Sequence, residues 1–148
     1  MGFSIALVGC GAMGSALLKG WLTLPDTKER FANFWVIAPH REKVEPFLKD
    51  TRVGWISSPE QLPQTPDLIL FAVKPYHLED ILPHYKAFET LFISVASGKP
   101  LSFYETYLSL SSPLGSFITT LHFFNNQNQG LLQEDPTSRK AWVLRDHE

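Results

Sequence analysis

Gly9-Cys10-Gly11-Ala12-Met13-Gly14 is the stretch that decides the fold of this sequence. It stands between a short apolar run, Phe3-Ser4-Ile5-Ala6-Leu7-Val8, and a helical pattern in Ala12, Met13, Ala16, Leu17 and Trp21. Apolar run, glycines and amphipathic segment in that order predict a strand, a tight turn and a helix. G-x-G-x-x-G in that setting is the fingerprint of a dinucleotide-binding βαβ unit, whereas the same pattern in an arbitrary loop carries little weight. Gly9 permits the turn, Gly11 lets a pyrophosphate approach the backbone, and Gly14 lets the helix pack closely on the strand. The helix start then offers free N–H groups and about half a positive charge to the phosphates. The competing reading is an ordinary turn with helix-packing glycines, which the place of the motif at the head of a βαβ pattern disfavours.

Working outward, Phe34-Trp35-Val36-Ile37-Ala38 predicts a second strand that stops at Pro39. Arg41 to Lys49, with Val44, Phe47 and Leu48 on one side, predicts a short helix, Val53 to Ile56 a third strand, and Glu60 to Leu62 one helical turn. Asp67-Leu68-Ile69-Leu70-Phe71-Ala72-Val73 is continuous and apolar, as expected of a central parallel strand buried on both faces. Tyr76 to Phe88 has helical spacing but carries Pro83, which should bend or break it. Leu91 to Ala96 predicts a fifth strand and Leu101 to Leu110 a further helix. Strands alternating with helices predict a Rossmann-like α/β fold, a doubly wound parallel sheet in a three-layer αβα arrangement.

From about Ser109 the texture changes, through Pro113 and Gly115 to the polar run Asn125-Asn126-Gln127-Asn128-Gln129. Residues 1–108 are therefore expected to form an NAD(P)-binding domain. Residues 109–148 are expected to be a divergent segment with a candidate sixth strand at Phe117–Phe124 and a disordered tail over Leu131–Glu148.

The 148 residues hold 13 basic and 15 acidic side chains, a net charge of −2, so neither a nucleic-acid footprint nor attraction to an anionic membrane is expected. No apolar run reaches the roughly 20 residues that cross a bilayer, and the start lacks a signal-peptide pattern; a cytoplasmic protein with a small-molecule ligand is expected. A single cysteine, Cys10, leaves no internal disulfide and no zinc-binding pair. His40, His77, His84, His122 and His147 show no metal-ligand spacing, so no metal is expected. G-x-S-x-G is missing and Ser97 has no local histidine or acid partner, which argues against a hydrolase nucleophile.

The end of the second strand bears on the choice of nicotinamide cofactor. An acidic residue there bonds the ribose hydroxyls of NAD, whereas the 2′-phosphate of NADP needs cations and donors. This chain has Pro39-His40-Arg41, with no acid until Glu42, and the planar fork of Arg41 suits a phosphate. NADP(H) is favoured over NAD(H); the alternative is that Arg41 merely opens a solvated helix. Val73-Lys74-Pro75 follows the buried strand at the carboxyl edge, where open parallel sheets bind ligands, and Lys74 is expected to approach the phosphate or ribose side. Ala96-Ser97-Gly98 ends the fifth strand with small residues that would admit a flat nicotinamide ring. A purely structural turn is the alternative at both places.

Together these segments resemble the pyrroline-5-carboxylate reductase family, which carries out the last step of proline synthesis. Ile5 to Ala16 is similar to the family's amino-terminal fingerprint, and Val36 to Val44 (V-I-A-P-H-R-E-K-V) resembles its second-strand segment. Asp67 to Pro75 (D-L-I-L-F-A-V-K-P) is the most family-specific piece, and Leu91 to Leu101 resembles the strand and loop beneath the nicotinamide. The resemblance covers roughly residues 3–108. It implies hydride transfer from a nicotinamide to the carbon of a cyclic imine. It also implies that Val8, Gly9, Cys10, Gly11, Ala12 and Met13, with Gly14 of the same loop, hold the pyrophosphate. His40 and Arg41 would take the adenosine phosphate, Ala72, Val73, Lys74 and Pro75 the ribose and linker, and Ala96 with Ser97 the nicotinamide side. No residue is assigned a catalytic proton.

In the family a helical domain follows, which dimerises and completes the active site. Where the family has an M-P-N-T-P-like segment this chain reads Ile118-Thr119-Thr120-Leu121-His122-Phe123-Phe124-Asn125-Asn126, so a frameshifted or truncated copy lacking the helical domain is expected. Such a chain would expose surface that the helical domain normally covers and would tend to associate through it. Two functions follow: an NADPH-dependent reductase domain of proline biosynthesis, or an NADP-binding module without turnover.

Overall fold

A computed structural model describes residues 2–24, 31–96, 98–108, 118–120, 130–134 and 141–146. The chain divides into two compact units, Met1–Val73 and Lys74–Glu148, whereas the sequence alone suggests a boundary at residue 108.

In the first unit, β1 (Phe3–Val8) leads into α1 (Ala12–Thr23), β2 (Phe31–Ile37), β3 (Val53–Ile56) and β4 (Leu68–Phe71). All the strand pairings are parallel and give the order β3-β2-β1-β4. Ser4 to Val8 and all of β4 are buried, as continuous apolar strands covered on both faces must be. Register is pinned at the amino edge by Asp67. Its carboxylate accepts the Ser4 N–H at 2.8 Å and the Ser4 hydroxyl at 3.3 Å, while its own N–H donates to the Ser4 carbonyl at 3.0 Å. Leu18 of α1 is inaccessible to solvent, as are Leu7, Phe34 and Val36 on one face of the sheet and Ile69 and Phe71 on the other. Trp21 stacks on Phe34 at 5.8 Å, and the Trp35 ring lies where a Cβ on Gly54 would be, 2.6 Å from its nearest carbon.

The helix expected over Arg41 to Lys49 is instead two 3-10 turns, Arg41–Lys43 and Glu45–Phe47. Pro46 lacks the N–H that a continuous α-helix would donate to Glu42, and its ring crowds that carbonyl. The turn expected at Glu60 to Leu62 is the 3-10 turn Pro59–Gln61, whose Gln61 side chain reaches back to the Ser57 and Ser58 N–H groups.

In the second unit, a 3-10 turn at Pro75–His77 precedes α2 (Leu78–Ile81), a 3-10 turn at Leu82–Tyr85, β5 (Leu91–Ser94) and α3 (Leu101–Tyr107). The helical pattern of Tyr76 to Phe88 is thus cut into short pieces, with Pro83 at the start of the last one. β5 pairs in parallel with β6 (Ile118–Thr120), which pairs in parallel with β8 (Ala141–Asp146). β7 (Gly130–Glu134) runs antiparallel to β8, Gly130 opposite Asp146. Two strands thus stand where a disordered tail is expected; Leu131-Leu132 and Trp142-Val143-Leu144 are strand-forming runs that gain stability only by pairing. Of the candidate sixth strand, Phe117 and residues 121–124 lie outside the described residues. The architecture is a Rossmann-like α/β fold, and among the described residues no helix is long and apolar enough to cross a membrane.

Candidate functional site

The glycine loop leaves β1 at its carboxyl end. Val8 accepts a hydrogen bond from the Ala72 N–H at 2.8 Å, and the Gly9 N–H donates to the Ile37 carbonyl at 2.9 Å, so the loop is tied to the ends of both neighbouring strands. Gly9 has φ +97°, and a Cβ there would meet the Ala72 oxygen at 2.9 Å and Val73 Cγ1 at 2.8 Å. A Cβ on Gly14 would run into the Gly9 carbonyl oxygen. Gly11 differs: nothing lies within 4 Å of the place its Cβ would take.

Gly11 is the N-cap of α1, no side chain caps this helix, and its first turn carries no acid. The Ser15 N–H and hydroxyl both bond the Gly11 carbonyl, at 2.9 and 2.6 Å, which closes the first turn and turns that hydroxyl back onto the helix. A 12-residue helix therefore presents an uncapped positive end beside open space at Gly11 and exposed Ala12. Charge and room both suit a phosphate group, so the residues present fit a dinucleotide pyrophosphate.

Cys10 is buried, and its thiol donates to the Lys43 carbonyl at 3.6 Å. Burial pushes the thiol pKa up, while the Lys43 charge works in the opposite direction. Its place in the loop is that of a packing residue whose side chain links the glycine loop to the turn after β2. That turn begins at exposed His40 and carries exposed Arg41, and buried Val44 anchors it. Arg41 Nε lies 3.9 Å from Glu45 Oε1, with both side chains 59% exposed. An exposed pair of this kind is worth roughly 0.2–1 kcal/mol and yields readily to a better anion. The base of the turn is fixed by the Trp55 indole, whose N–H donates to the Ala38 carbonyl at 3.0 Å, and by the Ala38 N–H, which donates to Ile56 at 3.1 Å.

The first unit thus brings together Val8 to Gly14, His40, Arg41, Ala72 and Val73. Lys74 and Pro75 open the second unit, where exposed Lys74 precedes the turn Pro75–His77 and its backbone carbonyl accepts the His77 N–H at 3.0 Å. Ala96 is buried at the end of β5, with its N–H on the Ser94 hydroxyl at 3.2 Å. Ser97 lies outside the described residues, and Gly98 after it has φ +81°. Trp55 has a polar role that the sequence does not signal, because its partner lies 17 positions away. A groove of about 330 Å³ beside Lys19, Leu22, Phe47 and Lys49 opens at the opposite end of α1 and is not part of this loop. Among the described residues no group of His, Cys, Asp and Glu could hold a metal ion.

The family model described as NADP oxidoreductase, coenzyme F420-dependent, matches residues 4–98. A pyrroline-5-carboxylate reductase of Methanosarcina acetivorans is 33% identical over 115 residues, 70% of this chain and 39% of the relative. Among solved structures, the pyrroline-5-carboxylate reductase of Coxiella burnetii superposes with a TM-score of 0.62 at 20% identity, covering 97% of this chain and 49% of that one. The Plasmodium falciparum pyrroline carboxylate reductase with NADP bound gives 0.54 at 24% identity, over 72% of this chain and 38% of that one. The chain spans less than half the length of each of these relatives.

Proposed function

Because the chain belongs to the family of NADP oxidoreductases described as coenzyme F420-dependent, we propose that it binds NADPH and serves the reduction of a cyclic imine, pyrroline-5-carboxylate, to proline. One observation carries this reading: the uncapped start of α1 beside the open space at Gly11, held by a loop whose Gly9 and Gly14 admit no side chain. The likeness to the Methanosarcina reductase supports the choice of imine. In this proposal the backbone of Gly9 to Gly14 binds the pyrophosphate, Val8 closes the strand beneath it, and Arg41 with His40 takes the 2′-phosphate. Ala72, Val73, Lys74 and Pro75 serve the ribose and linker, and Ala96 and Ser97 the nicotinamide side.

When bound, the dinucleotide supplies a hydride to the imine carbon, and the ring nitrogen takes a proton from solvent or a donor. The chain's part is positioning, which for reactants held in near-attack geometry is worth about 7–11 kcal/mol of barrier. No described residue is assigned to the imine itself.

The test follows the reduced nicotinamide by absorbance after pyrroline-5-carboxylate is added to protein and NADPH, with proline measured as product. Imine-dependent NADPH consumption with equal proline is the expected result. Tight NADPH binding with no proline would leave the binding module as the function, and no NADPH binding would remove both readings.

A further inference from the structure

The turn after β2 carries balanced charge: Arg41 and Lys43 stand with Glu42 and Glu45, and all four are exposed. It belongs to the same unit as the glycine loop and lies against it. The Cys10 thiol donates to the Lys43 carbonyl at 3.6 Å, and the Gly9 N–H donates to the Ile37 carbonyl at 2.9 Å where β2 ends. The backbone of the turn is held in place: Val44 is fully buried, its N–H donates to the Arg41 carbonyl at 2.9 Å, and the Leu48 N–H donates to the Glu45 carbonyl at 3.1 Å. Arg41 and Glu45 are thus fixed at their Cα atoms, with Arg41 Nε 3.9 Å from Glu45 Oε1. Among the described residues Glu42 makes no ion pair, so Glu45 is the acid that engages this guanidinium.

A phosphate monoester brings a charge of about −1.5 to −2. To bind Arg41, such a group has to draw the guanidinium away from Glu45 and then stand near a carboxylate of its own sign. The ribose hydroxyl that replaces it in NADH is uncharged and meets neither cost. Since the backbone is anchored, the exchange takes only rotation of exposed side chains, and Glu45 acts as a competitor without being part of the fold's support.

We infer that Glu45 is a specificity-determining residue, which competes with the 2′-phosphate for Arg41 and holds the preference for NADPH over NADH below what Arg41 alone would give. The inference rests on the proposed function, in which Arg41 takes that phosphate.

The test titrates the whole chain with NADPH and NADH at low ionic strength, comparing the unaltered protein with Glu45→Gln, Glu42→Gln, Arg41→Ala and the double variant Arg41→Ala with Glu45→Gln. Glu45→Gln should melt close to the parent, because its side chain is 59% exposed, and should bind NADPH about 1.5- to 5-fold more tightly, the range an exposed ion pair spans, with NADH affinity unchanged. Glu42→Gln should give a smaller gain. In the Arg41→Ala background the Glu45→Gln gain should also shrink, since the two residues act as a coupled pair. No gain, an equal gain for NADH, an equal gain from Glu42→Gln, or a gain undiminished without Arg41 overturns the inference while leaving NADPH binding intact. Equal NADPH affinity in the parent and Arg41→Ala overturns the assignment of the phosphate to Arg41, and no NADPH binding by the parent overturns the dinucleotide reading, the inference falling with either.

Discussion

Gly9, Gly11 and Gly14 share a residue type but not a constraint. At Gly9 the backbone lies at φ +97° and a side chain would press on the Ala72 carbonyl, so Gly9→Ala should cost about 1–3 kcal/mol and lower the melting temperature. At Gly11 there is room, and Gly11→Ala should cost only about 1 kcal/mol, the difference between Gly and Ala at a helix N-cap. Its methyl group would nevertheless stand in the path of the phosphate. Calorimetric titration of Gly11→Ala with NADPH should therefore show at least a tenfold loss in a protein that melts close to the parent; unchanged affinity would mean that no phosphate approaches this backbone. Cys10 provides a pH test. Its thiol pKa is raised in the fold by burial, so the folded state holds the proton more tightly than the unfolded chain does. The stability this contributes is fully present below the ordinary thiol pKa and is lost as pH rises through the folded value. Melting temperature should fall in the alkaline range, and Cys10→Ser, which cannot ionise there, should flatten that part of the fall.

At the scale of elements, the sequence made the strands plain and the helices less so. β1, β3 and β4 announce themselves because each is a largely apolar run ended by Gly, Ser or a polar turn, as expected of strands in a parallel sheet. The segments after β2 and β4 have helical spacing, yet Pro46 leaves the first as 3-10 turns and Pro83 stands at the start of the 3-10 turn that follows the short α2 in the second, since periodicity records which face is apolar and says nothing of the missing N–H. The strand, turn and helix around the glycine loop were legible because the pattern lies within six consecutive residues, whereas the Ala72 and Val73 atoms that exclude a side chain at Gly9 were not. The bonds around the loop were not either: Cys10 to Lys43 and Trp55 to Ala38 join residues 33 and 17 positions apart, and only the folded chain brings them together. Trp55→Phe tests one of these bonds. It keeps an aromatic ring and removes the N–H from the Ala38 carbonyl, which should cost about 1 kcal/mol and loosen the turn that carries Arg41. A drop in NADPH affinity larger than the drop in NADH affinity is the expected signature, read by parallel titrations.

For the molecule as a whole, membership of the NADP oxidoreductase family and a Rossmann-like fold agree with what residues 3–108 imply. The resemblance to pyrroline-5-carboxylate reductases extends to named relatives that are roughly twice as long or longer. In the proposed function this chain takes up NADPH through the glycine loop and the arginine after β2. Fluorescence titration of the protein and of its Arg41→Ala variant with NADPH and NADH tests it most directly. The parent protein should bind NADPH more tightly than NADH. The variant should show a selective loss of NADPH affinity of roughly 10- to 100-fold, the worth of a hydrogen bond to a charged group, with NADH affinity unchanged. Equal affinity for the two nucleotides in both proteins, or binding of neither, would contradict it.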